Sequence, residues 1–557
     1  MLAGIGLAVL KSAWQTSHLH IGVEDPADPD GPLRVRLTGQ ATFLRLPRLL
    51  DALERLPADR AVELDWSGLR HLDHACTVAL VTWAAQHRAP AAPGPWTWSR
   101  RCPPRSERPP AAPAHRWARR RRPQPPPAAA ARSRQSPVLA GPPGGGWHPP
   151  SSVPPEGELT VDLLDAARTL QPELVALRRA LHAEPEVGLR LPLTRRKVLD
   201  ALAGLPLEIS TGTGLDSVTA VLRGGGDGPT VLLRADMDAL PVQERAPAGA
   251  PESGIPGRMH ACGHDLHTAI LVGAARLLAE RRELLGGDVV LMFQPGEEGE
   301  GGARVMVDEG VLTAAGADRP VGAAYALHVT SAVLPTGVVA GRPGPILAAA
   351  DRLRVVVRGR GGHGSSPHTA LDPVPAACEM VTALQTAVTR TFSVFDPVVV
   401  TVGSFHAGDA HNVIPDEACF VATVRSFSPA AGARAAEVLP AVVRGIAAAH
   451  GLAVEVEYRQ DYPVTISGPD AAAEVADTAR DLLGADRWVE LEHPFAGSED
   501  FSFVLQRVPG AFFFLGATLP GRDPADAPYN HSPEAAFDES VLADGAALLA
   551  ALALRRR

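Results

Sequence analysis

Residues 258–267 read Arg-Met-His-Ala-Cys-Gly-His-Asp-Leu-His. His260, Cys262 and His264 fall at i, i+2 and i+4, which puts three side chains on one face if the segment is extended. Imidazole and thiolate are the donors that borderline-soft divalent cations prefer. Asp236 and Asp238 stand upstream, and the adjacent Glu297 and Glu298 downstream. Carboxylates add further ligands and a proton acceptor, so the set together points to metal-assisted hydrolysis. Singly, each is weak: a lone histidine is more often solvated than ligating, and neighbouring glutamates are usually surface charge.

Convergence needs elements that bring these positions together. Segments 217–222, 230–234, 288–293 and 322–327 read as buried strands, and 163–183 and 268–285 have helical spacing. Strands alternating with helices predict an α/β fold: a mostly parallel sheet covered by helices on both faces. Asp236, Asp238, Glu297, Glu298 and His328 then all follow strands, and open α/β sheets bind ligands at the carboxyl ends of their strands. From 351 the order becomes β-α-β-β-α-β, with strands at 352–358, 398–403 and 418–425 and helices over 374–389 and 430–450. That order predicts an inserted ferredoxin-like α+β domain over 351–463, the sheet domain occupying 158–350 and 464–557.

Two other zones precede these. Residues 89–157 are rich in proline, alanine, arginine and glycine, with arginines at 119–122, and predict a solvated, disordered linker. Residues 1–88 contain strand-like 33–37 and 61–65 and helix-like 43–56 and 73–87. Within them, Leu64-Asp-Trp-Ser-Gly-Leu69 followed by Leu72-Asp-His-Ala-Cys76 resembles the STAS domain at the cytoplasmic tail of sulfate-permease-type anion transporters. That resemblance implies a partner-binding module, with 4–10 as the stump of a transmembrane helix. The apolar run 2–10 is itself shorter than the roughly 20 residues a span requires, so no membrane span is expected. A net charge of −9 with no basic stripe excludes a nucleic-acid partner. Five cysteines, odd in number and widely spaced, form no disulfide framework and fit a reducing, cytoplasmic setting.

Motifs occur in order along the third zone: Arg234-Ala-Asp-Met-Asp-Ala-Leu-Pro241, Met259-His-Ala-Cys-Gly-His-Asp265, Gln294-Pro-Gly-Glu-Glu-Gly299 and Ala326-Leu-His-Val329. Gly361-Gly-His-Gly364, Asn412-Val-Ile-Pro415, Gly497-Ser-Glu-Asp-Phe501 and Asn530-His-Ser-Pro533 follow. Together they resemble the M20 metallopeptidase family, in the amidohydrolase branch that cleaves N-acylated amino acids. The resemblance implies two divalent ions (zinc, manganese, cobalt or nickel) held by Cys262, His264, Glu298, His328 and His531, with Cys262 as a bridging thiolate. It implies Glu297 as general base, although spacing alone leaves Glu297 and Glu298 interchangeable. Asp238 would orient a ligand from behind, and Asp236 stands where other branches carry a ligand histidine. His363 would stabilise the tetrahedral oxyanion, sometimes from the neighbouring subunit. Asn412 and Arg425 would grip a substrate carboxylate, and the inserted domain would serve as lid and homodimer interface. The reaction implied is hydrolysis of N-acyl or N-aroyl L-amino acids to a carboxylic acid and a free amino acid. A dipeptidase with the same metals is one alternative. A catalytically inert scaffold carrying the N-terminal module is the other, and the intact Cys262, His264, Glu297 and His531 weigh against it.

Overall fold

Val231 to Leu233, and likewise Val289 to Phe293, are buried without a polar break. Such runs belong to strands covered on both faces. In the computed structural model, which describes residues 19–24, 33–41, 49, 52–53, 62–72, 156–247 and 249–556, they lie at the centre of an eight-stranded sheet. Its order is Trp488–Glu490, Val339–Gly341, Gly510–Gly516, Val321–Thr330, Gly228–Asp236, Gly287–Gln294, Val218–Leu222, Leu207–Thr211. The neighbours of Gly228–Asp236 are both parallel to it, and the antiparallel pairs lie toward the two edges.

Alternate residues of each central strand feed different cores, as the two-residue period of a strand requires. Val231, Leu233, Val289 and Leu291 face the helices Glu156–Ala183, His264–Glu280 and Val541–Arg555. Leu232, Val290 and Met292 face a second core that includes Met306, Phe501 and Phe512. Strand Val321–Thr330 extends past its expected end, so His328 sits inside the strand rather than after it. Its last residues keep pairing because Gly510–Gly516 runs alongside in parallel.

A separate four-stranded sheet with its own core lies between Ala350 and Tyr462. Its order is Val398–Ala407, Glu417–Ser426, Ala350–Arg358, Ala453–Tyr462, all neighbours antiparallel. Helices Pro373–Thr391 and Pro429–Ala449 connect its strands. Each helix opens on a side-chain cap followed by proline: Asp372 accepts from the Val374 amide, and Ser428 from the Ala431 amide.

The chain divides into two compact units, Met1–Ala112 and Pro113–Arg557. Within the first, Leu19–Glu24, Leu33–Ala41 and Val62–Leu72 form a three-stranded sheet, the first pair antiparallel and the second parallel. Leu33, Val35, Leu37 and Val62 are its buried side. The helix expected over 73–87 and the linker expected over 89–157, up to residue 155, lie outside the described residues. Among the described residues, Cys262 and Cys378 are free thiols and Cys419 is disulfide-bonded. Among the described residues, no helix is long and apolar enough to cross a membrane.

Candidate metal centre

The segment 260–264 is not extended. It turns at Gly263, which takes a left-handed backbone (φ 82°) and caps helix His264–Glu280. A Cβ there would lie 2.4 Å from a Val329 methyl, so only glycine fits. The turn separates the three residues that a strand would have aligned. Cys262 and His264 point toward the carboxyl ends of the central strands, whereas His260 is buried beside His182, with ring centroids 6.2 Å apart. The expectation that His260 shares a face with the other two is therefore corrected.

Cys262 is common to two groups of potential ligands, one with His264 and His328 and one with Glu298 and His531. Its Sγ lies 3.5 Å from His328 Nε2 and 3.3 Å from His531 Nε2. His531 Nε2 is 3.0 Å from a Glu298 carboxylate oxygen. His328 Nδ1–H donates to the Val329 carbonyl at 2.7 Å, which leaves the Nε2 lone pair facing the thiol. His531 holds a left-handed backbone (φ 73°) unusual for a side chain with a Cβ. Its amide donates to the Ala261 carbonyl at 2.9 Å, and Asn530 Nδ2 donates to the carbonyls of Cys262 and Val329 at 3.2 and 3.1 Å. These bonds tie the loop to the rest of the cluster and offset the strain.

Behind the cluster lies a buried polar scaffold. Asp238 accepts from the backbone amides of both Glu297 and Glu298, at 3.0 and 3.1 Å, and stands 3.5 Å from His264 Nδ1. Asp236 accepts from Arg234 at 2.6 Å and from His267 Nδ1 at 2.5 Å, and stands 3.6 Å from His264 Nε2. The Val329 amide donates to His267 Nε2 at 2.8 Å, so His267 is the neutral tautomer with its proton on Nδ1. Arg234, fully buried, also meets Glu499 at 2.8 Å and Asp500 at 3.1 Å.

The fit to divalent ions can be tested on His264. It is fully buried and neither ring nitrogen makes a hydrogen bond; Asp236 and Asp238 stay beyond bonding range. An unsatisfied buried imidazole is costly. Cations ligated by thiolate, imidazole and carboxylate would remove that cost, so the residues present fit the group.

The cluster opens on a cleft of about 850 Å³ whose lining includes Cys262, Glu297, Glu298, His328, His531 and Arg425. Arg425 Nη1 is buried there without a hydrogen-bond partner. His264, Asp236 and Asp238 lie beneath, out of solvent. His363 and Asn412 do not join them. They are exposed on the four-stranded lobe, where Gly362–His363 pairs with Val413–Ile414, and neither belongs to the cleft lining. The physical reason is that both sit on a surface ribbon, not on the strand Glu417–Ser426 that carries Arg425.

The two glutamates differ in environment. Burial and the charges of Glu499, Glu298 and Asp500 hold Glu297 well above the usual carboxylate range. Burial also acts on Glu298, but the His531 hydrogen bond and the His264 charge outweigh it and bring Glu298 below that range.

Residues 232–555 match Peptidase family M20/M25/M40. Thermostable carboxypeptidase 2 of Saccharolobus solfataricus is 36% identical over 402 residues, 72% of this chain and 99% of that protein. The chain belongs to this family. IAA-amino acid hydrolase ILR1-like 4 of Arabidopsis thaliana is 38% identical over 386 residues, 69% of this chain and 85% of that protein. The Bacillus subtilis YXEP protein, a dinuclear metal binding peptidase of family M20, has a similar solved structure. It is 31% identical with TM-score 0.59, covering 70% of this chain and 98% of that one. As an M20 family member with hydrolase relatives, the protein is a metal-dependent hydrolase.

Some residues of this M20 site have no local signal. His267, Tyr462 and Asn530 take no role that a motif assigns, because their partners lie far away in sequence. His182 is another. Its two ring nitrogens meet Asp265 at 2.8 Å and Glu244 at 2.9 Å, and Arg178 also reaches Asp265 at 2.8 Å. Burial opposes the charged imidazolium, but the Asp265 charge and the bonds to Asp265 and Glu244 raise His182 to about 9 from an ordinary 6.5. A raised folded-state value stabilises fully below the unfolded value and is lost as pH climbs through the folded one. The melting temperature is therefore expected to fall by several degrees more between pH 7 and 10 in the wild type than in His182→Gln. Parallel pH profiles for the two would refute a charged His182.

Proposed function

We propose that this chain hydrolyses the amide bond of N-acyl or N-aroyl L-amino acids, releasing a carboxylic acid and a free amino acid. The observation that carries the reading is one cleft lined both by the Cys262–Glu298–His328–His531 cluster and by Arg425 with a buried, unpartnered Nη1. A guanidinium so placed suits a substrate carboxylate. Leu347, Val421 and Phe514 in the same lining suit an acyl or aroyl group.

Two divalent ions, bound by Cys262, His264, Glu298, His328 and His531, would supply Lewis acidity toward the scissile carbonyl and lower the pKa of a water. Glu297 takes the proton of the attacking water and delivers it to the leaving nitrogen. Its raised pKa makes it a competent acid in the second half, while the lowered value of Glu298 suits a permanent anion; paired carboxylates pushed apart in this way take different roles. Asp238 sets the backbone of both glutamates, and Asp236 backs His264.

His363 and Asn412 fit this reading as donors to the cleft of a second copy, with the lobe 351–463 as lid and homodimer interface. Strand Val398–Ala407 is an unpaired edge of its sheet among the described residues, and Val399, Phe405 and Val413 on this lobe are exposed. The STAS-like reading of residues 1–88 belongs to the same proposal, supported by the motif at 64–76, whereas the disulfide at Cys419 weighs against the reducing, cytoplasmic setting.

A peptidase reading is favoured by the carboxypeptidase relative. The test is amino-acid release from N-acetyl and N-benzoyl amino acids and from dipeptides by protein loaded with manganese or zinc. Turnover of the acylated substrates is expected, with Arg425→Leu raising KM by roughly 10–100-fold. Faster turnover of free-amine dipeptides would replace this reading with the dipeptidase. Silence on every substrate with both ions bound would remove it.

A further inference from the structure

The four-stranded lobe is joined to the large sheet domain by two chain segments that run side by side. Gly344–Leu347 and Thr465–Ser467 pair antiparallel, and beyond them Ala350 pairs with Tyr462 at the lobe's margin. One side chain in this hinge reaches the segment that carries Glu297. Tyr462 is nine-tenths buried, its hydroxyl donates to the Glu297 carbonyl at 2.7 Å, and it accepts from the Gly301 amide at 3.0 Å. Its ring packs edge-on against Phe503, with centroids 6.1 Å apart. The other end of the Glu297 residue is held from the large domain, since the Glu297 amide donates to Asp238. The peptide groups on both sides of Glu297 are thus pinned, one from each lobe.

We propose that Tyr462 is a positioning residue: from the hinge, it sets the backbone of the 297–301 turn and so couples the seating of the lobe to the placement of the Glu297 carboxylate. This rests on the reading of Glu297 as the general base. A hydroxyl is well suited to the task. It donates to one backbone group and accepts from another four residues on, closing a turn whose Gly299 and Gly301 take left-handed conformations. No other side-chain hydrogen bond to the backbone of 299–301 occurs among the described residues. Loss of the hydroxyl therefore frees the Gly301 end while leaving the Asp238 end in place.

The experiment is Tyr462→Phe in the full-length, metal-loaded enzyme, with Phe503→Leu as a packing control that keeps the hydroxyl. For Tyr462→Phe, kcat is expected to fall about tenfold, the loss of two neutral hydrogen bonds, with KM changed less than about threefold. Metal content should stay constant, and amide exchange at Gly301 should accelerate about tenfold or more. Phe503→Leu should lower the melting temperature without this split of kcat from KM. An unchanged kcat, or a lower kcat with Gly301 exchange unaltered, would overturn the proposal. If Glu297→Gln were to retain full activity, the base assignment would fail. The exchange at Gly301 would still decide whether the hinge tyrosine holds the turn.

Discussion

Glu297→Gln is expected to lower kcat by roughly 10²–10⁴-fold while both metal ions stay bound. The amide has nearly the shape of the carboxylate and keeps the backbone bond to Asp238, so the fold around it should not change. What it cannot do is take and return a proton. The surroundings of Glu297 favour its protonated form, which suits that exchange. The residue is buried, and Glu499, Glu298 and Asp500 all disfavour its anion. Glu298→Gln, by contrast, should reduce metal content along with activity: both glutamates share a potential ligand group with His264, but only Glu298 also stands with Cys262 and His531. Turnover of the two variants, measured with metal content by atomic emission, separates proton transfer from ligation. An active, metal-replete Glu297→Gln would remove the proposed base.

Cys262→Ala should be the more damaging change to the structure of the site. Its sulfur belongs both to the group with His264 and His328 and to the group with Glu298 and His531, so its removal would take a donor from each. Metal content is expected to fall from two ions to one or none, and activity by about a hundredfold or more. A fall in melting temperature should accompany it, and chelation of the wild type should reproduce that fall. Ligands that bind only the folded state stabilise it by mass action, about 4 kcal/mol at a concentration 1,000 times Kd. The scaffold gives the physical reason for expecting a large value. Asp236, Glu499 and Asp500 share a single Arg234 and lie buried behind the cleft, so loss of the cations leaves closely packed carboxylates with less compensating charge. Cys378→Ala, at an exposed free thiol that belongs to no potential ligand group among the described residues, is the matched control and should retain metal, activity and melting temperature. Equal metal content in Cys262→Ala and Cys378→Ala would exclude Cys262 as a metal ligand.

Much of this site was legible along the chain because strands impose simple rules. Unbroken apolar runs at 231–233 and 289–293 can be buried only in a sheet covered on both faces, and the residues after such strands gather at one edge. Glu297, Glu298 and His328 could therefore be grouped from strand order, Cys262 and His531 joined them through the family resemblance, and the fold brings all five around one cleft. Arg425 joins them through its strand in the smaller lobe.

Other features depend on distances that no local pattern encodes. The i, i+2, i+4 spacing suggested that His260 belonged with Cys262 and His264, but the left-handed turn at Gly263 sends it to His182. Glu297 and Glu298 were equivalent as neighbours. Only the tertiary surroundings, Glu499 and Asp500 near one and His531 near the other, give them opposite electrostatics. His363 and Asn412 carried a motif yet lie on the exposed surface of the lobe, outside the cleft of their own chain. Tyr462 carried no motif, and its hydroxyl closes the turn that holds Glu297. Sequence by itself determined which side chains could ligate and which strands would present them, because alternation and burial act over a few residues. The tertiary structure decided which polar groups meet, because a hydrogen bond between positions 165 residues apart depends on how the two lobes pack.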